Sequence, residues 1–306
     1  MKKAVYHGIR DVRVEEVPEP KPGPGEAKLR VVYCGICGSD LHEYLHGPFP
    51  ASPFGHEVCG EIVEVGSGVE GFAVGDRVVA FDRDGYAEAM VTLPSRLLKL
   101  PEGMSWERAA LIEPLAGAAY AIDRGGVKAS DRVLIAGGGP VGLLVLLAVK
   151  AVGVESVYLT EISKTRRERA RELGATEVFD PLEVKIPQRM RESTEGRGVD
   201  VSVEAVGVEA SLKDCLASTR HRGTVVVQGI FTERVPIHML GFVSREITMI
   251  GTNSINPKLA LEWILAGRVA PESIVTRIVP LDDIAREGFD VLADDKDRAI
   301  KILVSP

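Results

Sequence analysis

The chain has 306 residues, of which 45% are hydrophobic and 26% are charged, and its formal net charge is −7. This length predicts two domains with ample cores. The acidic balance excludes nucleic acid as the expected partner, because phosphate binding relies on clustered Lys and Arg. A small-molecule enzyme or a protein-binding module remains.

No segment predicts a membrane span or a secretory signal. The longest apolar run, 141–149, is far below spanning length, and the segment after Lys3 is too short and polar for a signal peptide. We therefore expect a cytoplasmic protein without membrane contacts. Its four Cys residues should stay reduced and serve metals or catalysis more often than disulfides.

The first hundred residues predict a β-rich domain. Gly and Pro punctuate short runs with β-branched residues, at 28–33, 61–65 and 77–81. Closely spaced runs of this length indicate the strands of a compact, barrel-like domain. Between the first two runs, residues 39–46 have the features of a short helix that starts at Ser39 or Asp40.

The segment 34–57 contains side chains suited to a metal. Cys37, His56 and Glu57 offer a thiol, an imidazole and a carboxylate, the groups that hold a catalytic zinc ion beside an exchangeable water. Ser39 and His42 follow Cys37 closely enough to pass a proton outward from such an ion.

Three other interpretations of this segment are considered. The Cys34-x-x-Cys37 pair could be half of a structural zinc knuckle or a redox motif, or the whole segment could be an inert turn. Cys59 and Cys215 each stand alone, so no second Cys-x-x-Cys completes a knuckle.

From residue 113 onward, helices and strands alternate. An Ala-rich helix is predicted over 113–124, an apolar helix up to about residue 152, and a charged helix over 164–173 that Ser163 caps and Gly174 ends. The predicted strands are 132–136, 156–160, 176–179, 200–204, 224–229 and 246–251, with a last strand at 299–304. Such alternation predicts an α/β fold with a parallel, doubly wound sheet.

A glycine motif follows the first strand of this region and opens a helix. In the sequence Gly137-x-Gly139-x-x-Gly142, the first Gly permits a tight turn, the second lets the backbone approach a pyrophosphate, and the third lets helix and sheet pack closely. The helix N-terminus then offers amide donors to the phosphates. Pro140 and Val141, inside the motif, are counted with the predicted cofactor-binding residues.

The acidic residue after the next strand predicts the cofactor. Glu161 would accept hydrogen bonds from the adenosine ribose and repel a 2′-phosphate, which favours NAD over NADP. Arg166 and Arg167 follow closely and either soften that preference or lie on a solvated helix face. A hydride-accepting cofactor and a zinc site together describe one reaction, because zinc polarises an alcohol or carbonyl oxygen while nicotinamide exchanges the hydride.

These segments together resemble the zinc-containing medium-chain dehydrogenases, and within them the polyol branch of sorbitol, butanediol and threonine dehydrogenases. The family's motifs appear in the family's order along nearly the whole chain. They are Cys34-Gly-Ile-Cys37-Gly-Ser39-Asp40-Leu-His42, Gly55-His56-Glu57, Gly75-Asp76-Arg77-Val78, Glu113-Pro114-Leu115, Gly137-Gly-Gly-Pro-Val-Gly142 and Lys301-Ile-Leu-Val.

The resemblance implies a domain plan and a set of residue roles. A GroES-like catalytic domain would comprise 1–115 and 253–306, and a Rossmann NAD-binding domain would comprise 116–252. Cys37, His56 and a carboxylate would hold the catalytic zinc, and Glu57 and Glu113 would share the roles of remaining ligand and partner of the zinc-bound water. The family's proton relay falls on Ser39 and His42, and Thr252 falls near the nicotinamide.

One departure from the family is large. After Gly-Asp-Arg-Val, family members usually carry a lobe with four Cys residues that bind a structural zinc. Here only the seven residues 78–84 separate Arg77 from Gly85, and none is Cys. We therefore expect one catalytic zinc and no structural zinc, with Cys34 and Cys59 as buried small residues.

The expected function is an NAD-dependent zinc alcohol or polyol dehydrogenase. Its substrate would be a small secondary alcohol, such as a vicinal diol, a sugar alcohol or a hydroxy amino acid, and the family expectation is a homodimer or homotetramer. Two alternatives remain: a metal-free NAD(P)H-dependent carbonyl or quinone reductase of the same fold, and a non-enzymatic dinucleotide-binding protein.

Overall fold

The computed structural model describes residues 1–47 and 54–306. The chain forms two compact units, Met1–Glu113 with Pro271–Pro306, and Pro114–Ala270. Among the described residues, no helix combines the length and the apolar character needed to cross a membrane.

The strands and helices are numbered along the chain. The strands are β1 (Lys2–Gly8), β2 (Asp11–Glu16), β3 (Ala27–Gly35), β4 (Glu57–Val65), β5 (Arg77–Ala80), β6 (Ala89–Thr92), β7 (Leu97–Lys99), β8 (Arg132–Ala136), β9 (Ser156–Thr160), β10 (Glu177–Phe179), β11 (Val199–Glu204), β12 (Thr219–Val227), β13 (Thr248–Gly251), β14 (Val275–Pro280) and β15 (Lys301–Ser305). The helices are α1 (Gly38–His46), α2 (Trp106–Ala110), α3 (Ile112–Arg124), α4 (Pro140–Val152), α5 (Lys164–Glu172), α6 (Ile186–Ser193), α7 (Glu209–Ser218), α8 (Met239–Ser244), α9 (Pro257–Leu265) and α10 (Asp290–Asp294).

The first unit is built on a β-sheet with the strand order β14-β15-β3-β4-β5-β7, in which β6 also pairs with β3. Strands β3 and β4 are antiparallel, and Gly35 at the end of β3 pairs with Glu57 at the start of β4. Strand β15 pairs with the same end of β3, at Leu303 and Gly35. Because three strand ends meet here, residues far apart in sequence are brought to one place. The β-rich first domain is therefore confirmed.

The second unit contains a parallel sheet in the order β10-β9-β8-β11-β12-β13. The order reverses direction between β8 and β11, as in a doubly wound α/β fold. Inward-facing apolar residues such as Val133 and Ile135 are fully buried, as expected for strands covered on both faces. The predicted Rossmann-type sheet is confirmed, and β8 and β9 have the predicted bounds.

Two local predictions were wrong. Helix α1 does not start at Ser39 or Asp40. Its N-cap is Cys37, and Asp40 at the third helical position accepts a hydrogen bond from the Cys37 N–H, as in a capping box. Strand β12 begins at Thr219 rather than 224, because Thr219 already pairs with Val199 of β11.

The compact units also differ from the predicted domain bounds at 253–270. The prediction placed this stretch in the catalytic domain, but it lies in the second unit. The Asn256 N–H donates to the Ala116 carbonyl at 2.9 Å, and Asn256 caps α9 through its side chain. Ala260, Trp263 and Ile264 of α9 are buried.

Candidate metal centre and nucleotide site

Three donor side chains predicted to bind a metal come together in the first unit. One ligand atom each from Cys37, His56 and Glu57 lies within 4.8 Å of the other two. The pairing of Gly35 with Glu57 explains this, since Cys37 follows β3 by two residues and His56 immediately precedes β4. No other group of three such donors is found within residues 1–47 and 54–306.

The donor set fits zinc. Thiolate, imidazole and carboxylate are the side chains that zinc prefers, at bond lengths of about 2.0–2.3 Å. Donors within 4.8 Å of one another need only small side-chain rotations to reach one ion. Glu57 is buried, whereas Cys37 and His56 are partly accessible to solvent. The site is therefore shielded from solvent at Glu57 and more accessible at the other two donors.

Asp40 lies directly behind two of these residues. Its carboxylate is fully buried and accepts hydrogen bonds from the backbone N–H groups of Cys37 at 3.1 Å and Gly55 at 3.2 Å. Its Oδ1 is also 3.7 Å from Nδ1 of His56, an ionic contact longer than a hydrogen bond. Asp40 therefore contacts the Nδ1 edge of the His56 ring.

The electrostatics of His56 reflect these neighbours. Burial lowers the pKa of the imidazole, but the nearby Cys37 sulfur and then Asp40 raise it by more, to about 11. The site therefore favours positive charge at this position. A divalent cation meets the same preference.

Lys301 forms a buried ion pair with Glu57, and each side chain is only 1% exposed. Its Nζ also donates a hydrogen bond to the Ile36 carbonyl at 2.8 Å. Burial lowers the pKa of Lys301, but Glu57, Cys37 and Asp40 together raise it by more, so the net shift is upward. The ammonium group thus remains charged next to the carboxylate.

Glu113, the second predicted carboxylate, is at the start of α3 and is not among the three grouped donors. Burial raises the pKa of Glu113, His56 lowers it and Glu57 raises it, and the net value is about 7. A carboxyl group with this pKa can hold or release a proton near neutral pH.

The two predicted relay residues lie on α1. Ser39 is in the first helical turn, and its buried Oγ has no hydrogen-bond partner among the described residues. The His42 ring is 4.6 Å from the His46 ring between centroids. Burial, and secondly His46, lower the pKa of His42, so its imidazole is neutral at pH 7. A neutral imidazole can accept a proton.

The other two Cys residues of this unit are not part of the donor group. Cys34 and Cys59 are fully buried, as predicted. The Cys34 sulfur contacts the Gly35 carbonyl, and the Cys59 sulfur contacts the Trp106 carbonyl. Both behave as small packing residues.

In the second unit, the glycine motif has the geometry that a phosphate-binding turn requires. Gly137 has φ +103, a conformation that favours glycine. A Cβ on Gly142 would lie 1.9 Å from the Gly137 carbonyl oxygen, so no side chain fits there. Gly139 is the N-cap of α4, with Pro140 and Val141 in its first turn. The remaining amides of this turn lie at the N-terminus of α4, where a phosphate can accept their hydrogen bonds.

Glu161 follows β9 and is held toward the glycine turn. Its carboxylate accepts the Gly138 N–H at 2.8 Å and the Ser163 N–H at 2.9 Å. Arg166 was predicted to lie either at the cofactor or on a solvated face. Its side chain is 9% exposed, and its guanidinium lies 3.7 Å from where a Cβ of Gly139 would be. The solvated-face interpretation is therefore wrong.

Thr252 follows β13, at the edge of the sheet where the other strand ends lie. Its N–H donates to the Val227 carbonyl at 3.0 Å, and its hydroxyl lies 3.4 Å from the same oxygen. The structure thus places Thr252 at the carboxyl end of the parallel strands, the edge where ligands of such folds bind.

Sequence reasoning missed three residues around the donor group. Lys301, Asp40 and Tyr86, which hydrogen-bonds to Asp40, were not given a role at the metal site. A signal existed for Lys301, because a Lys within an apolar strand must be paired if it is buried. Asp40 stands three residues after Cys37, the spacing of a capping box. The sequence around Tyr86 holds no comparable signal.

A zinc-type donor group in a β-rich unit and a dinucleotide turn in a parallel α/β unit define a nicotinamide-dependent oxidoreductase. Comparison with known families gives the same class. Residues 23–102 match the alcohol dehydrogenase GroES-like domain, and residues 140–266 match the zinc-binding dehydrogenase domain. The chain belongs to the zinc-dependent alcohol and polyol dehydrogenases of the medium-chain type.

Individual relatives agree with this assignment. The chain is 38% identical to (R,R)-butanediol dehydrogenase of Bacillus subtilis over 349 aligned positions, which cover all of both proteins. It is 31% identical to sorbitol dehydrogenase of Bacillus subtilis, over 100% of this chain and 97% of that protein. The crystal structure of 2R,3R-butanediol dehydrogenase from Bacillus subtilis superposes with a TM-score of 0.92 at 36% identity, and it covers 100% of this chain and 99% of that one.

Proposed function

We propose that this enzyme transfers hydride reversibly between NAD and a small secondary alcohol, with one zinc ion held by Cys37, His56 and Glu57. The observation that carries the proposal is the grouping of these three donors within 4.8 Å. A metal-free reductase would have no need to keep a thiol, an imidazole and a buried carboxylate so close together. The same grouping opposes a purely structural protein, since it sits beside residues able to move protons.

Each residue of the site has a role that follows from its surroundings. A bound zinc ion supplies a Lewis acid that lowers the pKa of a substrate hydroxyl, and a bound nicotinamide supplies the hydride acceptor. Lys301 balances the charge of Glu57 and fixes its direction. Asp40 orients the His56 ring from behind. A divalent ion completes this arrangement of charges.

Between the two candidate carboxylates, the geometry supports Glu57 as the third protein ligand. Glu57 belongs to the grouped donors, and Glu113 does not. Glu113 has a pKa raised by burial to about 7, which suits a group that receives a hydrogen bond or a proton from water or substrate. We therefore assign Glu113 to proton binding rather than to the metal.

The substrate proton would leave through Ser39 and His42. A hydroxyl can accept one proton and donate another, and the Ser39 Oγ, which has no hydrogen-bond partner within 1–47 and 54–306, suits such an exchange. His42 on the same helix is neutral at pH 7 and can take the proton toward solvent.

NAD is the proposed cofactor rather than NADP. Two backbone N–H groups fix the Glu161 carboxylate beside the glycine turn, where it would accept bonds from ribose hydroxyls. A 2′-phosphate at that place would meet a like charge. Gly137, Gly139 and the first turn of α4 would bind the pyrophosphate, and Arg166 would contribute a positive charge next to it.

The proposed substrates are vicinal diols, sugar alcohols and hydroxy amino acids. Butanediol and sorbitol, the compounds in the relatives' names, both carry hydroxyls on neighbouring carbons. A homodimer or homotetramer in the cytoplasm remains our prediction for the assembled enzyme.

A substrate panel tests the proposal. Purified enzyme should reduce NAD with 2,3-butanediol stereoisomers, sorbitol or threonine, and it should use NAD at least tenfold better than NADP as measured by kcat/KM. Turnover that is confined to quinones or aldehydes with NADPH, and unaffected by zinc chelation, would support the metal-free reductase instead.

A further inference from the structure

Tyr86 is a buried residue whose hydroxyl binds Asp40, the carboxylate next to the candidate metal site. The side chain is 1% exposed. Its OH donates to Oδ2 of Asp40 at 2.6 Å, and the Gly35 carbonyl is a second, longer acceptor at 3.1 Å. Gly35 is the end of β3, and Asp40 is in the first turn of α1. Tyr86 therefore ties together the two elements that flank Cys37.

Asp40 in turn contacts two of the proposed zinc ligands and restrains their positions. Its Oδ2 also accepts the Cys37 N–H, while its Oδ1 accepts the Gly55 N–H and contacts Nδ1 of His56. One carboxylate thus contacts the backbone of one ligand and the side chain of the other. Groups in this position set ligand orientation, and their loss commonly lowers metal affinity 10- to 100-fold.

The Tyr86 hydroxyl is also a hydrogen-bond donor to a fully buried carboxylate. Removing that donor leaves Asp40 with one fewer of the hydrogen bonds that hold it in place. The ring plays a separate part, since it packs edge-on against Phe54 and Phe289.

We propose that Tyr86 is a positioning residue for the zinc site, which holds Asp40 and through it the Cys37 and His56 ligands. The inference rests on the proposed zinc site and extends it to a residue that touches neither metal nor substrate. We therefore expect the Tyr86 hydroxyl to slow the release of zinc from the protein.

The chain offers a matched control in Tyr44. This tyrosine is also buried, donates its OH to a carboxylate, Asp290, at 2.8 Å, and packs on Phe289. It belongs to the same core cluster as Tyr86. The Asp290 carboxylate lies 3.8 Å from the guanidinium of Arg10. Tyr44→Phe and Tyr86→Phe each remove one buried hydroxyl and keep the ring, so they differ in the carboxylate that loses its donor.

The experiment measures zinc release without reference to catalysis. Wild type, Tyr86→Phe and Tyr44→Phe are loaded with zinc, and each full-length protein is mixed with excess chromogenic chelator. Thermal unfolding of the zinc-free forms is followed in parallel. We expect Tyr86→Phe to release zinc about tenfold faster than wild type, and Tyr44→Phe to release it at the wild-type rate.

Equal release rates for the two variants, within twofold, would overturn the proposal. If Tyr86→Phe does not fold, Asp40→Asn tests the same link, since it keeps the side-chain volume and weakens the contact to His56. It should also release zinc about tenfold faster, and a wild-type rate would again overturn the proposal. A protein that binds zinc but oxidises no alcohol would defeat the proposed function while leaving this comparison decisive.

Discussion

Lys301 and Glu57 form an ion pair that is almost completely buried in the first unit, with each side chain 1% exposed. Glu57 starts β4 and Lys301 starts β15, and both strands pair with the end of β3. The sheet therefore places a cation behind a candidate zinc ligand. A buried pair of this kind is rarely a source of net stability, but removal of one partner leaves an uncompensated charge.

Lys301→Met should destabilise the zinc-free protein by about 3–5 kcal/mol, because Glu57 would remain buried without its partner. Chemical denaturation of the chelated protein measures this. The control is Lys2→Met, which removes a salt bridge to Asp282. The side chains of Lys2 and Asp282 are 43% and 60% exposed, so this variant should leave the denaturation midpoint unchanged. A neutral effect of Lys301→Met would show that the pair does not restrain Glu57.

Substitutions at two glycines of the nucleotide turn should separate an effect on stability from an effect on cofactor binding. Gly139→Ala should leave stability within about 0.5 kcal/mol, because its φ is −70 and a Cβ would lie 3.7 Å from its nearest neighbour, in ordinary contact. It should weaken NAD binding about tenfold or more, since the methyl group would occupy the place of the pyrophosphate. Calorimetric titration with NAD and thermal unfolding measure the two effects.

Gly142→Ala is the counterpart. Its Cβ would lie 1.9 Å from the Gly137 carbonyl, so the helix or the turn must move, at a cost of about 1–3 kcal/mol. Here the unfolding temperature should fall. If Gly139→Ala binds NAD like wild type, the turn is not a phosphate site.

Glu161 should control the choice between NAD and NADP. Glu161→Gln removes the charge that faces a 2′-phosphate, so the ratio of kcat/KM for NAD over NADP should fall about tenfold. Steady-state kinetics with both cofactors gives the ratio. The control is Glu168→Gln on α5, a partly exposed carboxylate that should leave the ratio unchanged. An unchanged ratio in the Glu161 variant would contradict the assignment.

His42 should produce the acid limb of the pH profile for alcohol oxidation. Only its neutral form accepts a proton, and its pKa is lowered from 6.5 by burial and secondly by His46. Activity should therefore fall as the pH drops through a value below 6.5. In His42→Gln, kcat should drop about tenfold or more, and this limb should disappear.

His46→Gln refines this test. His46 is the smaller of the two causes that lower the pKa of His42. Its removal should raise that pKa, so the acid limb should remain but move to higher pH. His7→Gln serves as the control, since His7 pairs with Glu15 on the β1–β2 hairpin. A profile that is identical in wild type and both α1 variants would remove His42 from the proton path.

The parts of the fold that local sequence determines were predictable. Strand β8, the turn at Gly137 and helix α4 form one continuous stretch, and the glycine spacing is required by close backbone contacts within it. Ser163 caps α5 as predicted, through a hydrogen bond from the Arg166 N–H. In each case the signal and the structure lie within a few residues of each other.

What escaped prediction depends on residues brought together from distant positions. Lys301 reaches the Ile36 carbonyl across 265 positions, and no local pattern specifies that contact. Tyr86 reaches Asp40 across 46 positions. The burial of Arg166 similarly depends on where α5 lies against the glycine turn. The donor residues were predictable because their chemistry restricts them, whereas the residues behind them are fixed by the sheet.

The most direct test of the account is the zinc content of purified protein, with activity measured before and after chelation. We expect about one zinc per chain, loss of NAD-dependent alcohol oxidation on chelation, and recovery when zinc is returned. Cys37→Ser should lack both zinc and activity, while Cys215→Ala, in the second unit, should retain both. Alcohol oxidation at the wild-type rate by a protein without zinc would contradict the account.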